Sequence, residues 1–407
     1  MTALDVRGDF PIFAAEPELV YLDSGATALK PAPVIAAVEQ HLRRDSANVH
    51  RGLYPLAERA TAAFEGARRR IAAALGADPD GTVFTRNATE ALNLAAACAG
   101  RAWLQPGDVV VVSIAEHHSN LLPWRRAAEE AGARLLVAPV TAEGALDEAW
   151  LADVLAAGRV RVVAFPHVSN VLGTINPVAR IATACRAAGA RTVVDGAQAV
   201  AHLAVDLRAL AADVYCWSGH KALGPTGIGV LHADPALLAA LPPYALGGEM
   251  VQQVADEVVW SDPPWRFEAG TPPIAEACGL AAAVEYLQAV GPTRIRAHDR
   301  TLTALALGEL GAREGVRILG SDDLDRRTGV VAFAIDGAHP HDVADLLGQA
   351  GCCVRGGFHC AQPLHAALGL PEGSVRISFG PYSREADVER VVGELDDVLA
   401  LLRTSVA

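Results

Sequence analysis

Lysine is nearly missing from this chain. Of 34 basic side chains 32 are arginine, and lysine occurs only at Lys30 and Lys221. Arginine serves as a surface cation, but its guanidinium stays protonated and cannot act as an amine nucleophile. A lysine retained against that bias points to amine chemistry such as a Schiff base. Basic charge is scarce overall: the net charge is -13 and the pI near 5.4, which argues against nucleic acid or an anionic membrane surface as partner. Aromatics make up only 5% of a chain that is 51% hydrophobic, so its core is mostly aliphatic. No apolar run reaches membrane-spanning length. The first residues, Met1 to Asp9, carry acids where a signal peptide has a basic and then an apolar region; a soluble cytoplasmic protein is expected. Seven cysteines, scattered and odd in number, do not make a disulfide framework, and no zinc spacing is present.

The two lysines differ in setting. Lys30 lies in Ala28-Leu29-Lys30-Pro31-Ala32-Pro33 and reads as a solvated loop residue. Lys221 follows the apolar run Val214-Tyr215-Cys216-Trp217 and a small-residue bend, which places it off the end of a buried strand. Other short β-branched runs, at 82–85, 109–114, 134–137, 160–165 and 192–194, alternate with helix-patterned segments. That alternation predicts an α/β fold with a mainly parallel sheet covered on both faces. Ligands collect beyond the carboxyl ends of such strands. There the sequence supplies Arg86-Asn87-Ala88-Thr89, Glu116-His117-His118, His167-Val168-Ser169-Asn170, Asp195-Gly196-Ala197-Gln198 and Ser218-Gly219-His220-Lys221. Ala88 and Thr89 could hold a phosphate at a helix N-terminus, or Thr89 could simply cap that helix, expected over 91–98. A buried Asp195 needs a cation or a hydrogen-bond donor. Beyond Gly291-Pro292 the pattern changes to a smaller α+β unit, with strands at 316–319, 329–335, 352–355 and 374–379 and a last helix carrying Val388, Val391, Val392, Leu395, Val398, Leu399 and Leu402 on one face. A hairpin is expected over 247–260.

Several long stretches, in order, resemble the Suf-type (group II) cysteine desulfurases and selenocysteine lyases of the class V aminotransferase superfamily. They include Tyr21-Leu22-Asp23-Ser24, Val49-His50-Arg51-Gly52, Glu116-His117-His118-Ser119-Asn120 and His167 to Thr174. Further on come Val194 to Ala199, Ser218-Gly219-His220-Lys221, Trp265 to Pro272 and Phe358-His359-Cys360-Ala361-Gln362-Pro363-Leu364. The resemblance implies a fold type I pyridoxal-phosphate enzyme. Its large domain spans 21–290 around a seven-stranded-type sheet, and its small domain, residues 1–20 and 291–407, carries the catalytic cysteine loop.

Carried over residue by residue, it implies that Lys221 holds pyridoxal 5'-phosphate and moves the substrate's Cα proton, with Asp195 on the pyridine nitrogen. His118 stacks on the ring and Gln198 touches its phenolic oxygen. Ala88, Thr89, Ser218 and His220 hold the phosphate, with Thr271 supplied by the other subunit of a homodimer. Asn170 and Arg376 bind the carboxylate of L-cysteine, and Cys360 takes the sulfur as a persulfide for a sulfur-acceptor protein, iron–sulfur cluster assembly or another sulfur pathway. The glycines before Cys360 read as a flexible carrier for that thiol. Two other readings remain open: a lyase acting on selenocysteine, cysteine sulfinate or cystine, or another class V reaction, and a non-catalytic subunit that binds a partner. Ala88 stands where the family often has threonine, and the segment 378–383 also departs from its commonest form.

Overall fold

Two sheets organise the chain. The structure is a computed structural model that describes residues 4–406, with side chains through Leu402; residues 1–3 and 407, expected in the small domain, lie outside the described residues. The larger sheet has seven strands in the order Thr82–Thr85, Gly229–Ala233, Val214–Ser218, Arg191–Asp195, Val160–Pro166, Val109–Ser113, Arg134–Ala138. All neighbours are parallel except at Gly229–Ala233, which runs antiparallel to both strands beside it. This reversed strand was not among those expected. Its N-terminal glycine is required by contact, since a Cβ at Gly229 would lie 2.4 Å from the Asn87 carbonyl carbon.

Alternate side chains of each strand point to opposite faces, and both faces here are apolar. Val111, Val163, Val194, Tyr215 and Trp217 pack under the helices Pro55–Ala74 and Ile274–Val290. Val110, Val112, Val162, Val193 and Cys216 face the helices Ala88–Trp103 and His118–Ala131. Continuously apolar strands are the result of burial on both sides. The helix expected over 91–98 is longer, starting at Ala88 and ending at Trp103. Its cap is Asn87, whose side chain accepts from the Glu90 N–H at 2.9 Å, rather than Thr89.

The second sheet is antiparallel, in the order Val316–Ile318, Val330–Ile335, Ser374–Ser378, Arg355–Gly357. Val388, Val391, Val392, Leu395, Val398 and Leu399 of the last helix are buried against its core, as their spacing predicts. The strand expected over 352–355 is divided. Cys352–Cys353 pairs in parallel with Val20–Tyr21, while Arg355–Gly357 pairs with Ser374–Arg376. The glycines there serve close packing rather than flexibility: a Cβ at Gly356 would meet the Pro340 carbonyl oxygen at 2.3 Å, and Gly357 has φ +113°. The expected hairpin is present as Val251–Val254 and Val258–Trp260.

A buried ion cluster joins helix Pro55–Ala74, the sheet edge and the Trp265–Pro272 stretch. Arg68, 2% exposed, donates to both oxygens of Glu268 at 2.6 and 2.8 Å, to Glu65 at 2.9 Å and to the Thr82 carbonyl at 2.8 Å. Glu268 also accepts from the Phe84 N–H at 2.6 Å. Removing one partner of a buried pair strands the other charge, at a cost of about 3–5 kcal/mol. Arg68→Met is therefore expected to lower unfolding stability by about that amount, read from urea denaturation; a loss under 1 kcal/mol would mean the cluster is not desolvated.

Candidate active site

The carboxyl ends of five strands of the larger sheet open into one cavity of about 310 Å³, within the range of small-molecule sites. Asn87, Ala88 and Thr89 line it after the first strand, His117 and Ser119 after 109–113, and Asn170 after 160–166. Asp195 and Ala197 follow 191–195, and Ser218, His220 and Lys221 close 214–218. Gly25 and Ala26 contribute from the N-terminal segment, and Arg355, His359, Cys360 and Arg376 from around the second sheet. Of the site residues named from sequence, nine reach this cavity: Ala88, Thr89, Asn170, Asp195, Ser218, His220, Lys221, Cys360 and Arg376.

Three do not. His118 is the first residue of helix His118–Ala131; its ring Nε2 accepts from the Gln362 N–H at 3.3 Å. Of this adjacent pair the histidine lining the cavity is His117, the extended residue before that helix, whose Nδ1 accepts from the Ser119 N–H at 3.1 Å. Gln198 is buried beside the cavity and donates through Nε2 to the Gly25 carbonyl at 2.7 Å. Thr271 is exposed and lies outside its own chain's cavity.

Burial sets the charges. Lys221 makes no hydrogen bond or ion pair with another described residue; desolvation pulls its amine down to about 8 against the opposing pull of Asp195. His117 is lowered to about 3 by burial and then by Lys221, and His220 to about 4 by burial and then by Lys221. Both imidazoles are neutral at physiological pH. Asp195, 8% exposed, accepts from the Ala197 N–H at 2.9 Å, and burial raises its carboxyl. Glu116, directly before His117, is fully buried; burial and then the Asp195 charge push it well above the usual carboxylate range. Its oxygens accept from Asn120 Nδ2 at 2.6 Å and the His117 N–H at 3.1 Å.

The opposite wall is cationic. Arg376, 2% exposed, donates to the Asn170 carbonyl at 2.9 Å and to Asp23 at 3.1 Å, and its buried Nε has no partner. Asp23 also pairs with Arg355 at 2.9 Å. Ala88 N–H donates to Ser218 Oγ at 2.8 Å, so two groups expected to face a phosphate also hold each other. Thr89 Oγ1 and Ser119 Oγ share a hydrogen bond of 2.7 Å at the exposed rim.

Cys360 is the one cysteine that is exposed. Cys98, Cys185, Cys216 and Cys352 are buried, with Cys278 and Cys353 half-buried. The backbone around Cys360 is hydrogen-bonded at both His359 and Cys360. His359 and Cys360 have φ of +50° and +58°; Asn170 Nδ2 donates to the His359 carbonyl at 2.6 Å, and the His118 N–H donates to the Cys360 carbonyl at 2.8 Å.

Known proteins are similar to this chain over nearly its whole length. A cysteine desulfurase of Dickeya dadantii is 43% identical over 403 residues, covering 98% of this chain and 97% of that protein. The crystal structure of the Escherichia coli cysteine desulfurase CsdA superposes with a TM-score of 0.89 at 40% identity, covering 97% of this chain and 98% of that one. The apo cysteine desulfurase of Thermococcus onnurineus superposes at 0.91 with 38% identity, covering 98% of each chain. The aminotransferase class-V family model matches residues 20–391. The chain therefore belongs to the class-V aminotransferase family.

Proposed function

We propose that this chain is a pyridoxal-phosphate-dependent cysteine desulfurase of the Suf-type branch. It acts as a cytoplasmic homodimer that passes sulfur to an acceptor protein for iron–sulfur cluster assembly or another sulfur pathway. Residues 21–290 form the large cofactor-binding domain, and 1–20 with 291–407 the small one. One observation carries the reading: an unpartnered amine, Lys221, and an exposed thiol, Cys360, share a cavity with a buried carboxylate, Asp195, and a carboxylate-binding pair, Asn170 and Arg376.

These residues fit the cofactor. Lys221 has no competing partner, buried Asp195 suits a protonated ring nitrogen, and the Ala88–Trp103 helix begins at the cavity, where the positive end of its dipole favours a phosphate. His220 and Ser218 stand beside that end, and Thr271 of the partner subunit would complete it. His117, neutral and lining the cavity, takes the ring-stacking role first given to His118. When bound, the cofactor supplies an electron sink for the carbanion formed on breaking the substrate's Cα–H bond. Lys221 takes and returns that proton. Arg376 and Asn170 orient the substrate carboxylate through charge-assisted hydrogen bonds. The Cys360 thiolate attacks the substrate sulfur: an S–S bond forms, the Cβ–S bond breaks with its electron pair going to carbon, and the skeleton is protonated and leaves as alanine.

Lys221→Ala is expected to abolish covalent capture of pyridoxal phosphate and to lower alanine formation by at least about 10²–10⁴-fold, the usual worth of an acid–base group alone. Borohydride trapping with peptide mapping checks the first; a label on Lys30 would refute the assignment. In cofactor-free protein the reactivity of the Lys221 amine should rise through about pH 8, because a depressed pKa frees the neutral amine earlier; a rise only near the ordinary lysine value would refute the desolvated setting. Cys360→Ser should keep cofactor and cysteine binding but lose persulfide and nearly all alanine formation from cysteine. Undiminished alanine formation would favour the lyase reading, in which sulfur leaves without Cys360.

A further inference from the structure

Lys30, the second lysine, is not a solvated loop residue. Its side chain is half-buried, and its ammonium is surrounded by oxygen: it donates to the Ala28 carbonyl, to Thr27 Oγ1 at 3.3 Å and to the His220 carbonyl at 3.2 Å. Burial pulls its amine down to about 8. The His220 carbonyl also receives the Ala28 N–H at 3.0 Å and the Thr27 hydroxyl at 3.3 Å. Three donors from residues 27–30 thus converge on one oxygen.

That oxygen belongs to the peptide unit joining His220 to Lys221. The unit sits in the single turn Gly219–Lys221, closed by the Ala222 N–H on the Gly219 carbonyl at 2.9 Å and tied to the segment entering the reversed strand by the Gly219 N–H on the Ile228 carbonyl at 2.9 Å. The Lys221 side chain makes no hydrogen bond or ion pair with another described residue, and its direction follows from how this peptide is turned. We propose that Lys30 is a positioning residue: its ammonium grips the His220–Lys221 peptide and thereby aims the Lys221 amine into the cavity. The proposal rests on the reading above, in which Lys221 carries the cofactor.

The geometry also accounts for the sequence anomaly. Three acceptors converge on Lys30, and an ammonium offers three N–H groups around one atom. A guanidinium spreads five donors over a rigid plane, too broad for three acceptors gathered around one atom, two from Thr27 and Ala28 and one from His220. A chain that uses arginine 32 times keeps lysine here, the one place besides Lys221.

The test uses full-length cofactor-free protein and two probes. Pyridoxal phosphate forms a bond to the Lys221 amine, whereas pyridoxamine phosphate has no aldehyde and is held by the remaining contacts only. Lys30→Met is expected to slow covalent capture of pyridoxal phosphate by roughly ten- to a hundredfold, the scale of a small misplacement of a reacting group. The affinity for pyridoxamine phosphate should stay at the wild-type value. Lys30→Arg should be slowed like Lys30→Met, because charge without the compact shape does not replace the grip. Wild-type capture by either variant overturns the proposal, as does an equal loss of affinity for both probes, which would mean Lys30 only holds the fold. Should Lys30→Met fail to fold, Lys30→Gln is read in the same way. Wild-type protein that forms no covalent adduct would instead sink the functional reading itself.

Discussion

Arg376 cannot be left alone in the interior. With 2% of its surface exposed, it would carry a desolvation cost of several kcal/mol without a counter-charge, and Asp23 supplies that charge. The same carboxylate binds Arg355, so one acid from the N-terminal segment holds two guanidiniums of the second sheet. The segment is pinned on both sides of Asp23. Val20–Tyr21 pairs with Cys352–Cys353, and the Ser378 N–H donates to the Leu22 carbonyl at 2.7 Å. The Ser24 hydroxyl bonds to Tyr382 at 2.7 Å, and the Tyr382 hydroxyl also accepts from the Leu29 N–H at 3.1 Å. A few residues later the strap reaches the Lys221 turn. One short stretch therefore fixes the distance between the cationic wall and the amine, which come from different sheets.

Desolvation then decides what each group can do. Neutral His117 and His220 add no positive charge beside Lys221, whose own amine is held near 8. Burial pushes both carboxyls up, Glu116 the further and with the Asp195 charge adding to it, so of the two Asp195 is the easier to ionise. Paired carboxyls in one buried place divide in this way because both cannot be charged together. What remains charged is Asp195 with the Lys221 ammonium on one wall, and the two arginines with their shared Asp23 on the other. That polarity suits a ligand with a cationic ring nitrogen at one end of the cavity and a carboxylate at the other.

How far the sequence reveals this depends on whether a role is set locally. Lys221 and Asp195 were legible because each ends a strand, and strand ends are marked by apolar runs and small residues. The stripe from Val388 to Leu399 was equally legible, since period alone sets it. His117 and His118 could not be separated: they are adjacent and identical, and only the point where the helix begins turns one ring inward. Lys30 was misread for another reason. Its loop signals, alanine and proline around it, are correct locally, but the acceptor that matters comes from residue 220, 190 positions away. The glycines at 356 and 357 show the same limit, because flexibility and close packing call for the same residue.

The cysteine loop follows from these constraints. Left-handed backbone at a non-glycine residue costs roughly 1–3 kcal/mol, and the chain accepts it twice in succession, at His359 and Cys360. Such strain persists where the surroundings over-determine it, and here both carbonyls are taken, by Asn170 and by the His118 amide. His359 is itself fixed by its Nε2 donating to the Ser374 carbonyl at 3.1 Å. The thiol lines the cavity and is exposed in the same arrangement. On the proposed function, sulfur taken up at Cys360 lies at the exposed rim of the cavity, within reach of a partner. Asn170 ties the two ends together, because the amide proposed to receive the substrate carboxylate is the one that now holds the carbonyl preceding Cys360.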